Sequence, residues 1–155
     1  MKRVMIARGF TLIELIMVLV LIGVLAVFVA PRINSADFMG RGFHDETLAL
    51  LRYAQKSAVA QRRVVCVAFG TDSATLSMAA AGVTSCPGGA LTGPRGETPA
   101  KVTARSGVTY LVQPADFSFD GLGAPSAGQS LQVASAGVSI GLTITVEADT
   151  GYVHD

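Results

Sequence analysis

A single carboxylate interrupts a long uncharged run near the start of the chain. Between Phe10 and Ala30 lie 21 residues in which Glu14 is the only ionisable side chain and Thr11 the only other polar one. An acid inside an apolar helix is costly, about 2.5–3.5 kcal/mol for Asp at a membrane helix centre and less near an end. The chemistry open to Glu14 is therefore ion pairing with a cation brought to the same depth. The second reactive pair is Cys66 and Cys86. Two thiols at that separation can close a disulfide, stay free or share a metal, and neither of the last two readings has supporting ligands nearby.

The element that must position Glu14 is a helix. At about 1.5 Å per residue, the apolar run reaches roughly 30 Å, enough to cross a hydrocarbon core. Lys2, Arg3 and Arg8 precede it, and the positive-inside rule holds such residues in the cytoplasm, placing everything after Pro31 outside it. An ordinary secretory signal carries its small-residue cleavage site after the apolar core. Here the small residue Gly9 stands before that core, so cleavage at this point leaves the anchor on the protein.

Gly9-Phe10-Thr11-Leu12-Ile13-Glu14 matches without departure the signature of the type IV prepilin family, which the chain resembles: a short basic leader ending in Gly, then Phe-Thr-Leu-x-Glu and an apolar helix. The resemblance implies that a prepilin peptidase and N-methyltransferase cuts between Gly9 and Phe10 and methylates the new amine of Phe10. It also implies assembly with other pilin or pseudopilin subunits into a helical filament, from an inner-membrane assembly platform. The physical reading of Glu14 agrees, because the new amine is the cation that its carboxylate needs. The pair can form within one helix, where residues four apart share a face, or between neighbouring subunits, where it sets register. The plain alternative is a transmembrane anchor with a tolerated Glu near its end.

The 155 residues then divide into a leader at 1–9, a transmembrane or filament-core helix at 10–30, a kink or linker at 31–44 and one small periplasmic domain at 45–155. Loss of Lys2, Arg3 and Arg8 reduces 12 Lys plus Arg to nine, against 11 Asp plus Glu, so the mature side chains sum to −2. No global basic character argues for nucleic acid. The exported compartment permits oxidation, which puts a Cys66–Cys86 disulfide first among the three readings. Closing a loop of that size contributes about 3 kcal/mol in the chain-entropy account.

Pro31, followed by Asn34-Ser35, Gly40 and Gly42, favours a helix kink or a helix end. From Asp45 to about Arg62 a helical period returns, with Leu48, Leu51, Ala54 and Ala58 on one face, acids in the first turn and Arg62-Arg63 at the last. Arg52, Lys56, Arg62 and Arg63 read as the solvated face of this helix rather than a nucleic-acid stripe. Short β-prone runs follow: 64–69 turning into 74–78 as a hairpin, then 101–104, 108–112, 117–119, 131–134, 142–148 and 152–153, with 79–99 as loop. The fold class is α+β: a long hydrophobic N-terminal helix, an amphipathic second helix and a C-terminal antiparallel sheet.

Two patches, Phe119-Asp120-Gly121-Leu122-Gly123-Ala124-Pro125 and Thr150-Gly151-Tyr152-Val153, resemble motifs of the H-type minor pseudopilin group, also called GspH/FimT-like. That group includes minor pilins of type IV and mannose-sensitive haemagglutinin (MSHA) pili. Members often carry Arg between the second Gly and Pro, where this chain has Ala124. Type II secretion, a type IV pilus and an MSHA-type pilus share the anchor physics, and these patches do not separate them.

Motifs for catalysis are missing: no metalloprotease helix, nucleophile elbow or phosphate loop occurs, and His44 and His154 fall in a linker and at the C-terminus. No enzyme, cofactor or metal is expected. Asp116 and Asp120 fall far short of the six to eight oxygens that calcium takes and read as turn caps or surface charge. DNA uptake, associated with some FimT-like proteins through a basic C-terminal region, is disfavoured because the chain from Gly141 onward holds Glu147, Asp149 and Asp155 and no Lys or Arg. A membrane-anchored periplasmic binding domain that never polymerises is the other alternative.

Overall fold

The computed structural model of the protein describes residues 10–29 and 35–155. The chain divides between Asn34 and Ser35 into two units, each described by itself. Gly9, the rest of the leader, Ala30 and the expected kink at Pro31 lie outside the described residues.

The first unit is one helix, α1, Leu12–Val29. It starts after Thr11 because Thr11 is its N-cap: Thr11 Oγ1 accepts the Glu14 N–H at 3.3 Å, and Thr11 O accepts the Leu15 N–H at 3.2 Å. Thr11 and Glu14 stand at the first and last positions of the Ser/Thr-x-x-Glu capping pattern. The 18 residues rise about 27 Å, less than the span expected from 10–30. No helix among the described residues is long and apolar enough to cross a membrane.

The second unit is organised by α2, Ser35–Gln61. It starts well before Asp45, so Ser35 to His44, expected as linker, is helical. Two causes override the glycines that read as breaks. Asp37 in the first turn suits the helix dipole, and Gly40 lets the helix approach Ile140, whose Cγ2 would stand 3.0 Å from an added Cβ. Phe43, Leu51, Ala54 and Ala58 continue the buried stripe. The helix closes with the paired bonds of a Schellman end, Arg63 N–H to Ala58 O at 3.1 Å and Arg62 N–H to Val59 O at 3.3 Å, with Arg62 at φ 49°.

Two four-stranded antiparallel sheets follow, where a single sheet was expected. Sheet A takes β1 (Val65–Phe69), β2 (Ser73–Met78), β3 (Lys101–Thr103) and β5 (Phe117–Phe119) in the order β3-β2-β1-β5. Sheet B takes β4 (Val108–Tyr110), β6 (Gln129–Ser135), β7 (Val138–Val146) and β8 (Val153–His154) in the order β4-β6-β7-β8. The expected hairpin is present, with Phe69 opposite Ala74. Strands β6 and β7 meet through Ala136-Gly137, both at positive φ (49° and 79°), the geometry of a two-residue primed turn. That turn explains why both strands reach further toward each other than expected. Helix α2 packs on strands of both sheets, and one core runs from Leu51 and Ala54 through Val65, Val67, Leu76 and Phe119 to Leu131, Ile144 and Val153.

Candidate functional site

The N-terminal helix offers no side to bury on its own. Its described large side chains are exposed all round, from Val18 at 43% to Phe10 at 83%, and apolar residues occupy every face, Glu14 being the one acid among them. A helix with this pattern is covered by lipid or by other helices when it is stable. Phe10 lies just ahead of the capped first turn and Glu14 within it, with its backbone N–H held by Thr11. The cap fixes where the acid leaves the helix, four residues from the atom that becomes the amine if the chain is cut before Phe10.

Cys66 and Cys86 are bonded to each other, with Cα atoms 6.1 Å apart. Cys66 lies on β1 opposite Ser77, and Cys86 belongs to the excursion between β2 and β3. The bond ties that excursion to β1, and the bridge between Ser77 and Ala90 ties it to the neighbouring strand of sheet A.

The two C-terminal patches, distant in sequence, meet beneath α2. Gln55 Nε2 donates to Gly123 O at 3.2 Å and to Thr150 O at 3.1 Å. Arg52 Nε donates to Val153 O at 3.0 Å. The glycines are demanded by close approach: a Cβ on Gly151 would stand 2.1 Å from Gly123 O, and one on Gly121 would stand 2.9 Å from the Arg62 backbone. Asp120 Oδ1 accepts from the N–H groups of Leu122 (2.8 Å) and Ala124 (2.9 Å). These patches therefore build a junction between helix and sheets. Sequence reasoning missed Gln55 and Arg52 as its clamps; the only trace was a glutamine beside the Ala54–Ala58 stripe.

The remaining candidates fall into structural roles. Asp116 Oδ1 accepts the Phe69 N–H at 2.8 Å, while Asp120 caps the turn just described. Arg63, expected in a solvated stripe with Arg52, instead donates from Nε to Ala79 O at 2.7 Å, and its Nη2 donates to the same oxygen. His44 is not in a linker: the earlier start of α2 buries it on the helix, with Nδ1 3.0 Å from Asp45 Oδ1 and Nε2 without a hydrogen-bond partner among the described residues. Thr47 and Tyr110 share a buried hydrogen bond of 3.2 Å, and burial pushes the Tyr110 phenol up to about 12. His154 stacks on Tyr152 and lies 2.9 Å from Glu147 Oε1, whose hydrogen bond raises the imidazole above its ordinary range.

Comparison with known proteins agrees with both halves of this description. The family described as "Prokaryotic N-terminal methylation motif" matches residues 5–30. No curated protein sequence matches. Among solved structures, the chain is similar to the type IV minor pilin FimU of Pseudomonas aeruginosa strain PAO1 in two crystal forms. In space group P21 the identity is 15%, with 74% of this chain and 86% of that chain covered and a TM-score of 0.53. In space group P65 the identity is 16%, the coverage 74% and 90%, and the TM-score 0.52. The chain thus joins a prokaryotic N-terminal methylation motif to an α+β fold similar to that of FimU.

Proposed function

We propose that this protein is a minor pilin or pseudopilin: cleaved after Gly9, N-methylated on Phe10, held in the inner membrane by the segment from Phe10 to Ala30, and drawn from there into a periplasmic pseudopilus or pilus. The observation that carries the reading is the pairing of a methylation motif at residues 5–30 with a helix whose described side chains are almost all apolar and exposed. Membrane insertion covers that surface before assembly, and the helices of neighbouring subunits cover it afterwards. Glu14 then needs a cation, and the Phe10 amine of the same or an adjacent subunit supplies it. Pro31 serves as the point where the filament-core helix bends or melts during assembly.

Intact mass of the membrane-extracted protein, with and without its cognate prepilin peptidase, tests the reading. A product beginning at Phe10 and carrying one methyl group is expected. A chain that keeps Met1 beside an active peptidase overturns it in favour of an anchored binding domain.

A further inference from the structure

Strand β3 forms an edge of sheet A, and that edge is open. Its ladder to β2 uses alternate residues: the Leu76 N–H donates to Ala100 O at 2.9 Å and the Ala104 N–H to Asp72 O at 2.7 Å, in register with Ala74 opposite Val102. Antiparallel alternation aims the N–H and C=O groups of Lys101 and Thr103 away from β2. No backbone hydrogen bond from another of the described residues reaches them.

This edge is one wall of a groove, and α2 is the other. Two cavities of about 200 and 240 Å³ share Glu46 and Thr103 and so form one trough, with Leu50 and Tyr53 toward one end and Phe38 and Phe43 toward the other. From Phe38 to Tyr53 a helix rises about 22 Å, which matches about 6–7 residues of extended chain. Lys101, Arg95 and Arg105 stand along the strand side. Glu97 lies beside them and accepts the Arg95 N–H at 3.1 Å, and Glu46 stands on the α2 side, so the three cations outnumber the carboxylates of the trough and the strand wall is cationic on balance.

We propose that the groove between α2 and β3 binds an extended acidic peptide segment of a partner protein by strand addition. The segment's backbone pairs with Lys101 and Thr103. Its apolar side chains enter the trough beside Leu50, Tyr53 and Phe43, and its carboxylates meet Lys101, Arg95 and Arg105. Strand addition takes affinity from main-chain bonds and specificity from alternate side chains. A three-residue edge carrying Lys resists indiscriminate pairing, so the charge match selects the occupant. The groove lies wholly within the second unit, and its occupancy does not depend on polymerisation.

The test is fluorescence anisotropy with the full chain in detergent micelles and a labelled heptapeptide alternating Asp or Glu with Val or Leu, compared with the same peptide carrying Lys at the acidic positions. The acidic peptide is expected to bind about tenfold tighter than the basic one. Thr103→Pro removes an outward N–H that β2 does not use, a change an edge strand accepts, and is expected to weaken binding by about tenfold or more. Lys101→Glu keeps the fold by a second route and is expected to reverse the preference between the peptides. Equal binding of the two peptides, no reversal in Lys101→Glu, or undiminished binding by a folded Thr103→Pro variant overturns the proposal. Peptide-free self-association that Thr103→Pro abolishes also overturns it, by assigning the groove to a second copy of the chain.

Discussion

Gln55 Nε2 lies 3.2 Å from the carbonyl oxygen of Gly123, and through this bond the C-terminal half of α2 holds the loop between β5 and β6. The same amide reaches Thr150 O, so one side chain fastens both C-terminal patches to the helix. Gln55→Ala is expected to cost about 1 kcal/mol, since water replaces part of what is lost. Gly151→Ala is expected to cost more, about 2–4 kcal/mol, because Gly151 has φ 67° and its Cβ would meet Gly123 O. Urea unfolding of the two variants checks the order, and a Gly151→Ala protein as stable as the parent would refute the close approach.

The disulfide holds an excursion that sheet A alone holds weakly. The bond closes a separation of 20 residues, for which the chain-entropy account gives about 3 kcal/mol. Cys66→Ser combined with Cys86→Ser is expected to lower the urea midpoint by about 1–3 M, taking an ordinary denaturant slope. Reduction of the parent should move the midpoint by a similar amount and leave the double variant unchanged.

Much of this architecture was legible because its signals are local. Val65, Val67 and Phe69 alternate with residues of the outer face, and that period alone identifies β1. The uncharged run after Phe10, broken only by Glu14, identifies α1 as directly. The first turns of α2 were not legible, since Gly40 and Gly42 carry breaker chemistry and only contact with Ile140, far along the chain, turns Gly40 into a packing residue. The split into two sheets was hidden for the same reason: Val65 pairs with Phe119, and alternation says which face a residue takes but not which strand lies beside it. His44 was misplaced because its burial follows from the helix start. At the C-terminal junction the glycines were visible as a motif, whereas Gln55 was not, because its acceptors are backbone carbonyls that carry no sequence signature.

The Thr47–Tyr110 bond joins α2 to β4 inside the core. Tyr110→Phe is expected to cost about 1–3 kcal/mol by leaving the Thr47 hydroxyl without its buried partner, and adding Thr47→Val should recover much of that loss. Titration gives a second readout. The phenol is raised to about 12 against an ordinary 10.0, so the folded state keeps its proton after the unfolded chain has released it. Stability from this group is complete below pH 10 and falls as pH rises toward 12. An alkaline melting series should show that fall in the parent and its absence in Tyr110→Phe.

The pairing of His154 with Glu147 gives a milder dependence nearer neutrality. Its pKa is raised above 6.5, first by the hydrogen bond to Glu147, so its contribution is fully present below pH 6.5 and is lost as pH rises through the folded value. NMR titration of the His154 ring should give a midpoint above the ordinary value in the parent. Glu147→Gln should return that midpoint toward 6.5, and an unchanged midpoint would remove Glu147 as the cause.

Glu14 separates an anchor from an assembling subunit. Its backbone N–H donates to the Thr11 hydroxyl in the cap, a bond that does not use the Glu14 side chain and survives Glu14→Leu. The substitution therefore removes the carboxylate while leaving the helix start intact, and it makes the run from Phe10 more apolar. A simple anchor should gain from the change, inserting and functioning at least as well. A filament subunit should insert, lose its leader and gain its methyl group, yet enter filaments poorly because the Phe10 amine is left without a counter-ion. Comparing the mass of the membrane-extracted variant with its recovery in sheared filaments distinguishes the two. Normal processing with loss from filaments is the expected result, and full incorporation of Glu14→Leu would exclude Glu14 as the residue that sets register.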